Sequence, residues 1–330
     1  MNLRAFVRLF THIQLLPVLE NGEETTLVGG QAVMEGVMMR SPHSYCVAVR
    51  KPSGEIVTQE SPLPRLSERY PIFKLPVIRG LGTLGHAMWL GMRALKFSAD
   101  CALEDIRVPK EAKKNKKEVG PAAMVLQLAF SVLFMIGLYK FVPLFLATQI
   151  GHHYQAVNGR FAINMMDGTL RIAIFLAFMI LISRLKDMHR VFEYHGAEHK
   201  VVFNFESGQP VNVQNAQRFV TWHPRCGTSF LVVVLIIAMI FYAFLPIDNF
   251  WAKFAARIAL LPLIVGLSYE VIRFAAKRQG GLLSVLTRPG LWLQRVTTQP
   301  PSDSQTEVAI EALDRAMELE KAQGGVLVIA

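Results

Sequence analysis

Two short clusters of histidine and cysteine carry the chemistry that this sequence offers. The first is His195-Gly-Ala-Glu-His199, which matches the pattern H-x-x-E-H. Residues four apart lie on one face of a helix, so His195 and His199 can bind one metal ion together. Glu198 lies beside them, where a carboxylate can act as general base toward a metal-bound water. This is the inverted order of the zincin motif, which one class of metallopeptidases uses.

The second cluster, His223-Pro-Arg-Cys226, places an imidazole and a thiol three residues apart. Together the two clusters form a plausible four-ligand zinc set, since nitrogen and sulfur donors suit Zn(II). Three interpretations stay open. A carboxylate joins His195 and His199 in a catalytic site with an open position, or all four His and Cys residues close a structural site. Alternatively, these polar groups bond one another and lipid headgroups.

Glu270 is a further candidate ligand because it interrupts an apolar helix, where an ionisable residue is expected to be functional. In inverted zincins the third ligand is a glutamate on a later helix, a role that Glu270 could take. Arg273 lies one turn away and offers the alternative of a structural ion pair. Asp187 and His189 are candidate hydrogen-bond partners of the ligand imidazoles.

The elements that must position these residues are predicted to lie at a membrane. Apolar residues make up 52% of the chain and charged residues 18%, and long apolar runs follow residue 120. We predict a mainly α-helical membrane protein, with a four-span transmembrane helical bundle, interfacial amphipathic helices and a small cytoplasmic β-rich unit. The predicted spans are 122–139, the uncharged stretch between Arg225 and Asp248, and two shorter ones whose uncharged cores, 172–183 and 258–269, begin after Arg171 and Arg257. The two short helices either snorkel their end charges or continue beyond the lipid, covered there by protein.

Basic residues set the expected orientation. The net charge is +10, and the positive residues cluster beside the apolar runs, which favours topology over nucleic-acid binding. Both termini are predicted to be cytoplasmic. The expected partners are the lipid bilayer and a protein or lipid-linked substrate, with no nucleic acid. Three widely spaced cysteines do not predict a disulfide framework.

Five regions are predicted along the chain. An N-terminal amphipathic segment (1–24) precedes the β-rich unit (25–70), in which residues 45–58 are typical of a strand, a turn and a strand. The glycine-rich stretch 29–36 is interpreted as a tight turn. An interfacial helix and basic linker (71–118) lead into the membrane domain (119–278), which contains the cytoplasmic His/Cys loop 184–228. A tail with an amphipathic helix (279–330) ends the chain.

Four stretches of this sequence together resemble the YqhQ-like family of bacterial membrane proteins. They are 29–40 (GGQAVMEGVMMR), 194–200 (YHGAEHK), 223–228 (HPRCGT) and 268–273 (SYEVIR). The resemblance covers about residues 28–299, and the family is of unknown function, generically described as predicted metal-dependent enzymes. It implies an integral membrane location and a metal, but no reaction.

The sequence therefore favours a metal-dependent membrane enzyme, most simply a hydrolase at the cytoplasmic face with zinc as the metal. His195 and His199 would bind the metal, Glu198 would act as the base, and the shell would be completed by His223, Cys226 or Glu270. The competing interpretation is a non-enzymatic scaffold or assembly factor with a structural zinc. A transporter ranks third, because a string of ionisable residues through the spans is not evident.

Overall fold

The computed structural model describes residues 28–63, 70–104, 121–155, 158–224, 226–277 and 282–323. Its sheet is antiparallel, with four strands in the order β1-β2-β3-β4. The strands are β1 (Gly29–Val33), β2 (Gly36–Arg40), β3 (Ser44–Arg50) and β4 (Ile56–Pro62). The predicted N-terminal segment 1–24 and the basic part of the linker, 105–120, lie outside the described residues.

The helices are numbered in chain order. They are α1 (Ile78–Glu104), α2 (Pro121–Ile136), α3 (Val142–His153), α4 (Arg160–Ile182), α5 (Lys186–Glu206), α6 (Val213–Ala216), α7 (Gly227–Ala243), α8 (Phe250–Ala259), α9 (Leu261–Lys277), α10 (Leu282–Thr297) and α11 (Asp303–Ala322). A π-helical stretch, Gly137–Phe141, joins α2 to α3, and a short 3-10 helix, Pro71–Lys74, precedes α1.

The predicted strand, turn and strand of residues 45–58 is confirmed as the β3–β4 hairpin, with Arg50 opposite Ile56. The interpretation of residues 29–36 as one tight turn is wrong. Most of that stretch is strand β1, which pairs with β2, and the turn consists of Met34 and Glu35 only. Glu35, the second residue of this turn, takes a positive φ of 53°, as the second central residue of a type II turn does.

The sheet lies between two helical layers because both of its faces are apolar. On one face Met38 and Val47 pack with Leu90 and Ala94 of α1. On the other face, Val37 and Met39 join a core built from α5 and α11, whose buried members include Tyr194, Ala197, Val201, Ala309 and Leu313. The β-rich unit is therefore the middle layer of a larger assembly, and α5, which carries the H-x-x-E-H motif, packs directly on it.

Helix α1 has two different faces. Leu90 and Ala94 are buried against the sheet, whereas Met88, Trp89 and Met92 are 64%, 50% and 65% exposed. One face of α1 is thus packed on protein. The opposite face keeps the exposed apolar side chains that an interfacial helix requires, and its contact with lipid stays a prediction.

The C-terminal amphipathic helix is confirmed as α11. Ser302 and Gln305 form a capping box at its start. Near its end, the buried Glu320 accepts hydrogen bonds from Ser41 Oγ (2.6 Å) and from the His43 backbone N–H (2.8 Å). These bonds hold the end of α11 on the sheet, so the tail is part of the folded core.

Two described helices are long and apolar enough to cross a membrane. They are Ala129–His153, of 25 residues, and Arg160–Ile182, of 23 residues. A third span results if α8 and α9, bent by 48° at their junction, count as one. Helix α7 is also apolar but shorter, with 17 residues. The prediction of a mainly helical chain with a small sheet is confirmed, and two to three candidate spans indicate membrane association. The count of four spans stays a prediction.

A cluster of charged residues is buried between these apolar helices. Asp167 bonds Arg171 at 2.7 Å and Arg257 at 2.8 Å, and all three side chains are at most 2% exposed. The sequence interpretation placed both arginines at the ends of uncharged stretches, whereas the structure buries them beside Asp167. Tyr242 lies beneath them, with its ring 5.2 Å from Arg171 and 5.0 Å from Arg257.

We expect Asp167→Asn to destabilise the protein strongly, because two arginines would lose the carboxylate that compensates them. Leaving buried charge unpaired costs about 3–5 kcal/mol. The measurement is the thermal unfolding midpoint of the full chain in detergent. Asp248→Asn is the matched control, since Asp248 pairs Arg160 at the surface with 74% of its side chain exposed. Equal midpoints for the two variants would contradict the prediction.

Candidate metal centre

Three of the predicted ligands come together in the structure. His195, His199 and Cys226 each offer one donor atom, and these atoms all lie within 4.8 Å of one another. The Nε2 atom of His195 is 3.3 Å from the Cys226 sulfur. The two imidazole centroids are 4.5 Å apart, which is the consequence of placing both residues on one face of α5 one turn apart.

Both imidazoles are oriented by backbone carbonyl groups. The Nδ1 atom of His195 lies 2.8 Å from the Thr297 carbonyl oxygen. The Nδ1 atom of His199 contacts the Thr221 carbonyl oxygen in the same way. A carbonyl can only accept, so each Nδ1 carries the proton and each Nε2 keeps its lone pair. This is the second-sphere arrangement found for metal-binding histidines.

Thr297 is the last residue of α10, and the segment that follows it holds the Thr297 carbonyl against α5. Gln299 N–H donates to the Phe192 carbonyl at 2.9 Å, so this segment lies across the helix. Gly196 makes the crossing possible, because a Cβ atom there would lie 2.0 Å from the Gln299 carbonyl oxygen. A glycine between the two motif residues His195 and Glu198 is therefore required by packing.

Gln294 of α10 fixes the segment that carries Cys226. Its side-chain oxygen accepts from the His223 backbone N–H at 2.7 Å, and its amide nitrogen donates to the His223 carbonyl at 2.9 Å. Cys226 itself is the N-cap residue of α7. The N-terminus of a helix favours negative charge, so this position suits a cysteine that binds metal as thiolate.

Glu198 lies beside the two Nε2 atoms. Its Oε2 is 3.4 Å from His199 Nε2 and 4.0 Å from His195 Nε2. Burial raises the pKa of Glu198, while electrostatic interaction with His195 and His223 and a contact with the Gly30 backbone lower it. Gly30 must be small here, because its Cβ would lie 2.7 Å from Glu198 Cγ. Strand β1 therefore orients the carboxylate.

Two histidines at this centre, His199 and His223, are buried and have lowered pKa values. Burial lowers the pKa of His199, a shift that a hydrogen bond to Cys226 partly offsets. Burial also lowers the pKa of His223 to about 4. Neutral imidazole is the form that binds metal, so the site does not need to expel protons from these two rings at neutral pH.

His223 lies close to the cluster but faces another partner. Its ring centroid is 5.7 Å from that of His199, and its Nε2 is 3.3 Å from Glu206 Oε2. It falls outside the group of donors that lie within 4.8 Å of one another. The structure thus brings Cys226 to the two motif histidines and turns the His223 imidazole toward the end of α5.

Glu270 is not brought to this cluster. Its carboxylate accepts from Arg79 Nε at 2.7 Å and from the Val77 backbone N–H at 3.2 Å, at the start of α1. The ion pair expected with Arg273 is instead formed with Arg79, because α9 packs on α1. Glu270 therefore joins two helices.

Asp187 and His189 do not orient the ligand imidazoles either, since backbone carbonyls do so. His189 lies 3.6 Å from Glu193 on the exposed side of α5. Sequence reasoning also missed Gln294 and Gly30, whose roles depend on contacts between distant segments. Backbone carbonyl partners leave no residue-type signal in a sequence.

The cluster forms one wall of a cavity of about 520 Å³. Strand β1 and helix α1 form the opposite wall, and the start of α7 closes one end. The polar side chains of the lining include His195, Glu198, His199, His223 and Cys226. A molecule in this cavity can thus contact the candidate ligands directly.

We expect Gly196→Ala to destabilise the protein, because its Cβ would collide with the backbone of the crossing segment. Overpacking at such a contact costs about 1–3 kcal/mol, and the thermal unfolding midpoint measures it. Gly227→Ala is the control, since a Cβ at Gly227 meets nothing within 4 Å. An unchanged midpoint for Gly196→Ala would show that the crossing segment is not packed as described.

Comparison with known proteins places the chain in a family. A family model described as "Protein of unknown function (DUF1385)" matches residues 75–319. The uncharacterized protein YqhQ of Bacillus subtilis (strain 168) is 34% identical over 297 residues, which are 88% of this chain and 92% of that protein. No solved structure matches the chain. The resemblance to YqhQ-like proteins is confirmed, and the chain belongs to the DUF1385 family of proteins of unknown function.

Proposed function

We propose that this protein is a metal-dependent hydrolase that works at the cytoplasmic face of the bacterial inner membrane, with zinc as the metal. One observation carries the proposal. Two Nε2 lone pairs and one cysteine sulfur converge on a point in the wall of a cavity, and both imidazoles are held in the metal-binding tautomer. The substrate is a protein or lipid-linked molecule that reaches the cavity.

The donor set fits zinc in type and spacing. Zinc takes histidine nitrogen at about 2.1 Å and cysteine sulfur at about 2.3 Å, so tetrahedral geometry separates two such donors by about 3.5 Å. The separation of His195 Nε2 from Cys226 sulfur is 3.3 Å. His199 Nε2 and Glu198 Oε2 are 3.4 Å apart. Little movement is required to place one ion among these atoms.

A ligand set of two histidines and one cysteine leaves a fourth position for water or substrate. Zinc bound there would lower the pKa of a water and polarise the bond to be cleaved. Glu198 would take the proton from the attacking water. Its burial supports this role, because a carboxylate with a raised pKa keeps a transferred proton more readily.

The geometry favours a catalytic site over a closed structural one. In the structural interpretation His223 would be the fourth ligand, yet its Nε2 faces Glu206 at 3.3 Å. The three converging donors border a cavity, whereas a structural zinc is enclosed by four protein ligands. The scaffold with a structural zinc is thus the alternative outcome of the experiments below.

We expect the purified full chain to bind about one zinc ion. Each of the variants His195→Ala, His199→Ala and Cys226→Ala should lose most of this zinc, because two remaining protein ligands do not hold the ion tightly. Elemental analysis after dialysis against a weak chelator measures the metal. The controls are His189→Ala, an exposed histidine of the same helix, and Cys46→Ala, a fully buried cysteine of the sheet. A wild-type protein without metal would overturn the proposal.

Cobalt substitution tests whether the site is open. Cobalt bound to a thiolate absorbs visible light, and an exogenous ligand such as a hydroxamate changes that absorption only where it can join the metal. We expect a clear spectral change on adding acetohydroxamate to the cobalt form. A spectrum that acetohydroxamate leaves unchanged would favour the structural zinc and refute the hydrolase.

The substitution Glu198→Gln tests whether Glu198 acts as the general base or as a metal ligand. Gln keeps the shape of the side chain but cannot accept a proton, so a general base is lost while the metal site stays. We expect zinc content to remain at about one ion per chain and the cobalt spectrum to keep its thiolate absorption. Loss of the metal in this variant would instead make Glu198 a fourth ligand.

A further inference from the structure

The cavity beside the candidate metal centre contains one arginine, Arg40 of β2. Among the lining residues Arg40 is the sole lysine or arginine, and Glu198 is the sole aspartate or glutamate. The two enter from different sides. Arg40 shares with Met38 the sheet face that packs on α1, whereas Glu198 reaches the cavity from α5. The cavity therefore has a cationic wall and a wall of candidate metal ligands.

Arg40 lacks, among the described residues, the carboxylate partner that several other arginines in or near the sheet have. Arg50 pairs with Glu307, Arg79 with Glu270 and Arg190 with Glu35. Within the described part of the chain, Arg40 has neither an ion pair nor a side-chain hydrogen bond. Its pKa is lowered by burial, an effect that Tyr269 partly offsets. A desolvated cation without a counter-charge is costly, and a bound anion would remove that cost.

The strand position that pairs with Arg40 carries no side chain. Gly29 pairs with Arg40 across the two strands, so their side-chain positions lie on the same face of the sheet. A Cβ at Gly29 would meet nothing within 4 Å. The position beside Arg40 on the edge strand is thus open space.

The rest of the lining is largely apolar and leads to the surface. Leu90, Leu95, Val202 and Leu231 line the cavity. Leu95 is also 47% exposed, and it lies on α1 near Met92, which is 65% exposed. An apolar path therefore runs from the cavity to the exposed apolar face of α1.

We propose that this cavity binds an amphiphilic anion, with a carboxylate or phosphate group on Arg40 and a hydrocarbon part along Leu90, Leu95 and Leu231. Arginine suits this role because its planar guanidinium binds such groups through two parallel hydrogen bonds. The binding itself is independent of metal. That the ligand is a substrate, with the bond to be cleaved near His195 and Cys226, rests on the proposed hydrolase.

Displacement of a fluorescent fatty acid tests the binding. The full chain in a non-ionic detergent is titrated with dansyl-undecanoate, which is then displaced by laurate, dodecyl phosphate, inorganic phosphate or dodecanol. We expect laurate or dodecyl phosphate to displace it, and the better of the two identifies the anionic group. Arg40→Gln should raise the Kd at least about tenfold, and Arg40→Lys should raise it less, because it keeps the charge without the bidentate geometry.

Control variants and control ligands test whether binding depends on the anionic group and on the cavity. Arg190→Gln, which removes an exposed arginine paired with Glu35, should leave the Kd unchanged. Gly29→Leu fills the open space beside Arg40 without removing its charge and should weaken binding as well. It provides the test if Arg40→Gln does not fold. If inorganic phosphate displaced the probe as strongly as dodecyl phosphate does, the proposal that the ligand is amphiphilic would be refuted. Equal displacement by dodecanol, or equal Kd values for wild type and Arg40→Gln, would overturn the anion site.

Removal of the metal by a chelator distinguishes this proposal from the proposed function. It leaves Arg40 and every other lining side chain in place, so we expect dansyl-undecanoate to bind the metal-free chain with the same dependence on Arg40. Anion binding without metal would support the cavity site even if the hydrolase were refuted. Loss of Arg40-dependent binding with metal retained would refute the cavity site alone.

Discussion

Two backbone carbonyl groups determine the direction of the motif histidines, and the candidate metal centre depends on them. The carbonyls of Thr297 and Thr221 accept from the Nδ1 atoms of His195 and His199. Without them each ring could rotate and exchange tautomers, and the helix spacing alone would not make two lone pairs converge. The rings converge because two segments far apart in sequence are held against the same turn of α5.

The segments that supply these carbonyls are held by packing and hydrogen bonds of their own. Gly196 leaves room for the segment after α10 to cross α5. The Gln294 side chain forms hydrogen bonds with both the backbone N–H and the carbonyl of His223. Helix α10 therefore holds both sides of the centre. The same helix leads through a short connection into α11, which Glu320 fixes on the sheet. The geometry of a few donor atoms thus depends on the docking of the whole C-terminal region.

Sequence patterns predicted the features that repeat locally. The spacing of His195 and His199, the β3–β4 hairpin, the C-terminal amphipathic helix and the apolar helices all follow from short-range periodicity or turn chemistry, and the structure contains them. The glycine-rich stretch before Val37 was misinterpreted, because glycine is common in turns and here serves close packing beside Glu198 instead.

Contacts between distant segments were the part that the sequence could not predict. Glu270 had two arginines as possible partners, and only the packing of α9 on α1 selects Arg79. Arg171 and Arg257 were interpreted as the ends of spans, since a charge next to an apolar run usually marks a boundary. The structure buries both beside Asp167, so an ion pair with this carboxylate, rather than exposure, accommodates their charge.

The edge strand β1 connects the two walls of the cavity, and this has a mechanistic consequence. Gly30 donates its N–H to Glu198, while Gly29, one residue earlier, pairs with Arg40. An occupant that moves β1 relative to α5 would change the hydrogen bond that holds Glu198, and with it the position of the proposed base. Because both residues are glycines, neither carries a side chain that would keep a ligand away from the strand. A ligand held by Arg40, as proposed, would therefore lie against the same strand that contacts Glu198, and its binding would be coupled to the proposed chemistry of the metal centre.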